Sequence, residues 1–127
     1  MAKILVVDDD RQVREMIKLT LERDGFEVVE AEDGIQAMEL FRAQEFDLVI
    51  TDIVMPGKEG IETIMEMKGF DSEARIIAIS GGGRINPEDY LSWARRFGVT
   101  QTFTKPVDRA ELLAAVHQLL PAAVDAG

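Results

Sequence analysis

Cysteine is absent from the 127 residues, and histidine occurs once, at His117. The first absence excludes a disulfide framework and thiolate metal sites. The second excludes the usual histidine-based zinc clusters. Aromatic residues are scarce at 6%, with one tryptophan and one tyrosine. Apolar runs extend over only a few residues, far short of a bilayer span. The start of the chain, Met1-Ala2-Lys3 and four apolar residues, meets three aspartates at once, which is not the pattern of a signal peptide. Basic residues are the minority, 14 against 24 acids, for a formal charge of −10. Nucleic acid and anionic lipid would be repelled, so neither is expected as a direct partner. What these exclusions leave is an acidic, cytoplasmic protein of one domain, with 46% hydrophobic residues to form its core.

The acidity is uneven. Residues 1–75 hold 19 acids and 9 bases, whereas residues 76–127 hold five of each. Most of these acids are expected to be a solvated surface. Acids at the ends of apolar strands need another explanation.

Strand-like and helix-like patterns alternate along the chain. Ile4 to Val7 is a continuous apolar run, as expected of a strand covered on both faces. Residues 11–23 carry Val13, Met16, Ile17 and Leu21 at helical spacing and stop before Gly25. A second strand is predicted over 26–31 and a second helix over 33–43, with Ile35, Met38 and Phe41 or Leu40 facing inward. Phe46 to Ile50 is a third strand running into Thr51-Asp52; a loop with Pro56 and Gly57 and a helix from about Ile61 to Lys68 follow. The fourth strand covers 74–79 and ends in Ser80-Gly81-Gly82-Gly83. Asn86-Pro87 opens a helix to about Phe97, with asparagine as cap and proline in the first turn. Residues 101–104 form a fifth strand before Lys105-Pro106, and Asp108 caps a last helix that Pro121 ends.

Five strand–helix units in alternation predict an α/β fold, a five-stranded parallel sheet with helices on both faces. Ligands of such sheets bind beyond the carboxyl ends of the strands, where the strand order reverses. Four of the five ends carry reactive groups: Asp8-Asp9-Asp10, Asp52, Ser80 and Lys105. Strand two ends in Glu32-Asp33, which serves equally as a helix cap, and Asp10 is expected only as first-turn charge for the following helix. Converging carboxylates repel one another unless a cation neutralises them. With oxygen ligands alone, Mg²⁺ is the expected ion, and it favours sites shared with a phosphate. A hydroxyl and an ammonium opposite would suit the remaining phosphoryl oxygens.

Taken in order, Ile4-Leu5-Val6-Val7-Asp8-Asp9, Asp52-Ile53-Val54-Met55-Pro56-Gly57, Ile79-Ser80-Gly81 and Lys105-Pro106 resemble the receiver domain of two-component response regulators over residues 1–121, with 122–127 as a short tail. The resemblance implies a flavodoxin-like doubly wound (βα)5 fold and a single-domain, chemotaxis-type receiver. It implies Asp52 as phosphoacceptor for a sensor histidine kinase or histidine phosphotransfer protein. Asp9, Asp52 and the Val54 backbone carbonyl would ligate Mg²⁺, with Asp8 acting through water. Lys105 would pair with Asp52 and then with the phosphoryl group, and Ser80 would swing in to donate a hydrogen bond. Such a chain is a switch rather than an enzyme, a monomer or weak dimer that signals to a downstream protein.

The chain departs from the family pattern at Thr102, where receivers usually carry an aromatic, and in the length of the segment from Ser80 to Lys105. Its three consecutive glycines impose little conformational restriction. Tyr90 and Trp93 fit either a partner surface or partly buried helix positions, and Arg84, Arg95 and Arg96 make their region locally basic. Two other classes share some of these features. A haloacid-dehalogenase-type phosphohydrolase would use Asp8 as nucleophile, but it needs a larger core or cap and leaves Asp52 unexplained. A flavodoxin-like flavin carrier would need its first loop to bind phosphate, where three aspartates repel it.

Hydrolysis of an acyl phosphate needs a water held in line with phosphorus. The resemblance places Val54 and Gly82 beside that water, and neither has a side-chain hydrogen-bonding group. The phosphorylated state is therefore expected to be long-lived. Val54→Asn combined with Gly82→Glu should speed loss of the phosphoryl group several-fold at unchanged Mg²⁺ affinity; an unchanged or slower decay in the double variant would overturn the water-positioning argument.

Overall fold

Strands and helices follow one another along the described residues, and the apolar periodicity of each assigns it a face. A computed structural model describes residues 2–53, 60–80, 92, 95, 96 and 98–120. In order these form β1 (Lys3–Val7), α1 (Arg11–Arg23), β2 (Glu27–Ala31), α2 (Gly34–Ala43), β3 (Leu48–Asp52), α3 (Gly60–Phe70), β4 (Ile76–Ser80), β5 (Gln101–Thr104) and α4 (Arg109–Leu119). The five strands make one sheet in the order β2-β1-β3-β4-β5, parallel throughout. This is the flavodoxin-like doubly wound order, with its reversal between β1 and β3.

Strand side chains alternate between faces, and the register keeps the alternation in phase across the sheet. Leu5 lies beside Val49 and Ile4 beside Leu48. Leu5, Val7, Val49, Ile76 and Ala78 therefore pack with Met38 and Phe41 of α2 and with Ile64 and Met67 of α3. Ile4, Val6, Leu48, Ile50, Ile77 and Ile79 pack on the other side with Ile17 and Leu21 of α1 and Leu112 and Val116 of α4. Two apolar layers sandwich the sheet, which is why its strands lack the apolar–polar alternation of a half-exposed sheet. Asp52 continues the second face after Leu48 and Ile50, so the same period that buries the isoleucine also buries a carboxylate.

Helix starts follow capping chemistry. Asp10 accepts from the Gln12 and Val13 backbone N–H groups, Asp33 from Gln36 and Asp108 from Glu111. Asp10 is thus an N-cap rather than first-turn charge. Gly25, just past α1, has φ +91°, a conformation costly for any residue with a Cβ. The Lys105–Pro106 peptide bond is cis.

The structure corrects several expectations. Ile35 is 59% exposed, and the inward face of α2 is Ala37, Met38 and Phe41. The third and fourth strands sit one to two residues later than predicted, which takes Asp52 and Ser80 into the strands themselves. Ser92, Arg95 and Arg96 are helical within the helix predicted over 86–97. Val54, Met55-Pro56-Gly57, Gly81-Gly82-Gly83, Arg84, Asn86-Pro87, Tyr90, Trp93 and the tail from Pro121 lie outside the described residues. Among the described residues no helix is long and apolar enough to cross a membrane.

The start of α3 is pressed against the end of β3. A Cβ on Gly60 would stand 2.3 Å from the Asp52 carbonyl oxygen and 2.3 Å from the Ile53 Cα, both backbone atoms, whereas one on Gly69 of the same helix meets nothing within 4 Å. Gly60→Ala should destabilise the protein by about 1–3 kcal/mol through overpacking. Gly69→Ala should stabilise it by about 0.5–1 kcal/mol through helix propensity. Urea unfolding of the two variants checks this, and equal effects would contradict the close approach.

Candidate functional site

At the reversal between β1 and β3, the residues that follow β1 turn sharply to enter α1. Asp8 is 1% exposed, and its polar groups are committed. Its N–H donates to the Ala31 carbonyl at 3.2 Å, and its Oδ1 accepts from the Asp10 N–H at 2.8 Å, closing an Asx turn. Its carbonyl accepts from Arg14 Nη1 at 2.9 Å. Asp9, between these anchored neighbours, is exposed.

Asp52 enters from β3 and is 4% exposed. Lys105 reaches in from the residue after β5. Its Nζ lies 3.0 Å from Asp52 Oδ2 and 3.0 Å from Asp8 Oδ2. The Lys105 N–H donates to the Ser80 carbonyl at 2.9 Å, so β4 fixes the root of the lysine. Burial works against the ammonium, but Asp52 and Asp8 together outweigh it and hold the Lys105 pKa above the usual lysine value. Burial also pushes the Asp8 carboxyl above the usual aspartate range, helped by the nearby Asp52 charge and opposed by the Asp10 N–H and Lys105.

One carboxylate oxygen from each of Asp8, Asp9 and Asp52 falls within 4.8 Å of the others. Three negative charges face one ammonium there, and two of the three carboxylates are buried. All the side-chain donors are hard oxygens, so this set fits Mg²⁺ and not a thiophilic metal. Ser80 completes the picture from β4. It is fully buried, and its Oγ has no hydrogen-bond partner among the described residues. An orphaned buried hydroxyl costs about 1–3 kcal/mol. It is the kind of group that an incoming acceptor oxygen would satisfy.

The structure therefore brings Asp8, Asp9, Asp52 and Lys105 into one cluster, with Ser80 at the neighbouring strand end; Val54 lies outside the described residues. These features, on a sheet of this order, are those of a phosphoryl-accepting switch, and a comparison with protein-family models decides the matter. Residues 4–117 match the model of the response regulator receiver domain. The chain belongs to the response regulator receiver family.

Individual receivers agree. The chain is 40% identical over 119 residues to chemotaxis protein CheY of Bacillus subtilis, covering 93% of this chain and 97% of that protein. It is 32% identical over 119 residues to sporulation initiation phosphotransferase F of the same species, covering 94% of each. The solved structure of response regulator protein TrrA from Thermotoga maritima, in complex with Mg²⁺ and beryllium fluoride, has a TM-score of 0.81 and 36% identity, covering 94% of this chain and all of that one. The chain is accordingly a phosphorelay response regulator receiver.

Three residues around this receiver site escaped the sequence reasoning. Gly60 permits α3 to abut Asp52. Arg14 and Glu30 pair at 3.1 Å beside the turn that carries Asp8 and Asp9. A glycine opening a helix is a weak signal, and a strand glutamate sixteen residues after a helix arginine gives none. Thr102, the departure from the family pattern, is half-buried and accepts from Arg95 Nη2 at 3.2 Å; Phe103, the next residue, packs toward the α1–α4 layer.

Because the Asp8 pKa is raised in the folded state, ionising Asp8 lowers stability. The loss sets in as pH rises through the carboxylate range, and it is absent where Asp8 is protonated in both states. Asp8→Asn keeps an oxygen for the Asp10 N–H and removes one of the crowded charges. Without divalent cation it should raise Tm at neutral pH by roughly 2–8 °C, the shift that about 1 kcal/mol gives in small domains. The gain should shrink toward acidic pH, and thermal melts across pH test both statements.

Proposed function

We propose that Asp52 is the phosphoacceptor of this receiver, with Mg²⁺ as cofactor and a sensor histidine kinase or histidine phosphotransfer protein as donor in the cytoplasm. The observation that carries the assignment is the environment of the Asp52 carboxylate: 4% exposed, 3.0 Å from the Lys105 ammonium, and within 4.8 Å of two further carboxylates. A carboxylate so placed has a cation partner at hydrogen-bonding distance and stands at the carboxyl end of the sheet.

In the transfer, one Asp52 oxygen attacks phosphorus, and the P–N bond to the donor histidine breaks. The imidazole keeps the bonding electron pair and takes up a proton, and an acyl phosphate remains on Asp52. Asp8, Asp9 and Asp52 would hold Mg²⁺, which supplies charge neutralisation at the phosphoryl oxygens. Lys105 is anchored at its backbone by Ser80, so its ammonium stays in place to pass from the Asp52 carboxylate to a phosphoryl oxygen. The Ser80 hydroxyl donates to another of those oxygens and so relieves its own lack of a partner. Drawing Ser80 toward the new dianion couples the chemistry to the outer surface, which a downstream protein reads. Asp8 is poorly suited to be the nucleophile, since its Oδ1 accepts from the Asp10 N–H and its backbone is held in the turn by Ala31 and Arg14. The protein assists only its own phosphorylation and dephosphorylation and turns over no separate substrate.

With acetyl phosphate and Mg²⁺, the protein should gain a single acid-stable, base-labile phosphoryl group, read by intact-protein mass. Asp52→Asn should abolish it, and Asp9→Asn should reduce it at least tenfold at limiting Mg²⁺ by weakening cation binding. Unaltered labelling of the Asp52 variant would overturn the assignment, and a label mapped to Asp8 would favour the phosphohydrolase chemistry instead.

A further inference from the structure

The guanidinium of Arg14 is the most sequestered cation among the described ion pairs, its side chain 11% exposed against 22% for Lys105. It does not simply offset the acidic charge in solvent. Nη1 donates to the main-chain carbonyl of Asp8 at 2.9 Å, and Nε donates to Glu30 Oε1 at 3.1 Å. Glu30 belongs to β2, beside Val6 of β1, and its other oxygen lies 3.6 Å from Lys18 Nζ. The turn is therefore clamped on both sides. The Ala31 carbonyl takes the Asp8 N–H, and Arg14, itself held by Glu30, takes the Asp8 carbonyl. The peptide unit that this carbonyl begins leads directly into Asp9, whose exposed side chain has to stay within reach of Asp8 and Asp52.

We infer that Arg14 and Glu30 are positioning residues for the divalent cation, fixing the Asp8–Asp9 peptide so that both carboxylates are aimed before the ion arrives. The inference rests on the cation site proposed above. Its physical basis is that aiming two like charges at one point costs free energy that the free protein must already have met. A clamp on the backbone removes the need to meet it at binding.

Positioning and plain electrostatics predict opposite signs. Arg14 carries a positive charge near a cation site, so by Coulomb interaction alone its removal should strengthen Mg²⁺ binding. If Arg14 acts by clamping the turn, Arg14→Met should weaken binding by roughly tenfold, as loss of groups that orient metal ligands commonly does. Arg14→Lys, which reaches one partner instead of two, should fall between. Glu30→Gln still accepts from Nε and should bind nearly as the parent does, whereas Glu30→Ala should weaken binding several-fold. Arg14→Met with Glu30→Ala should cost less than the two effects combined, because both act through one carbonyl.

The measurement is isothermal titration with Mg²⁺ alone, at fixed ionic strength and well below each variant's Tm, with the Asp8 and Asp9 amide resonances followed by NMR. The expected result is weaker Mg²⁺ binding by Arg14→Met together with exchange broadening confined to the turn. Equal or tighter binding by Arg14→Met would overturn the inference. A lowered Tm with unchanged affinity would do the same, since it would mark the clamp as structural only. Should Arg14→Met fail to fold, Glu30→Ala against Glu30→Gln carries the same comparison. Failure of the parent protein itself to bind Mg²⁺ would instead refute the proposed cation site.

Discussion

Three carboxylates meet one ammonium at the end of a parallel sheet, and the rest of the molecule is arranged around that imbalance. Two of the acids, Asp8 and Asp52, are all but excluded from water, and Lys105 stands 3.0 Å from each. A single lysine cannot neutralise the cluster, so the free protein holds repulsion that a bound cation would relieve. The site is built from groups that are incompletely satisfied: the raised Asp8 pKa and the Ser80 hydroxyl, without a partner among the described residues, both report it.

Such a cluster survives only on a rigid support. Each carboxylate is rooted at a strand end or in the turn that follows one, and the sheet is packed on both faces by apolar layers. The burden of stability lies in those layers, on isoleucine, leucine and valine side chains. Separation of roles of this kind lets the site carry strain and charge without unfolding the domain.

Details nearest the cluster are spent on holding backbone rather than on contacting a ligand. Gly60 admits the start of α3 against the Asp52 carbonyl, and the Lys105 N–H is bound to Ser80. Asp10, bound through its N–H to Asp8 and through its carboxylate to the first turn of α1, joins the acidic turn to the helix behind it. Thr102 on β5, where the family pattern carries an aromatic, accepts from Arg95.

Much of this was legible in the sequence. Unbroken apolar runs at strand length, alternating with helical periodicity, determine a doubly covered parallel sheet, because only burial on both faces tolerates them. The same pattern puts acids, serine and lysine at strand ends, and hence at the ligand edge. Tertiary structure decided what periodicity cannot see. It placed Ile35 in solvent, since α2 lies on the sheet through Ala37, Met38 and Phe41, and the helix has room for only one inward stripe. It moved the ends of β3 and β4 to include Asp52 and Ser80, because pairing with neighbouring strands, not local composition, sets where a strand stops. And it joined Arg14 to Glu30 and Asp8, a contact between a helix, the next strand and a turn whose side-chain geometry no one-dimensional spacing encodes.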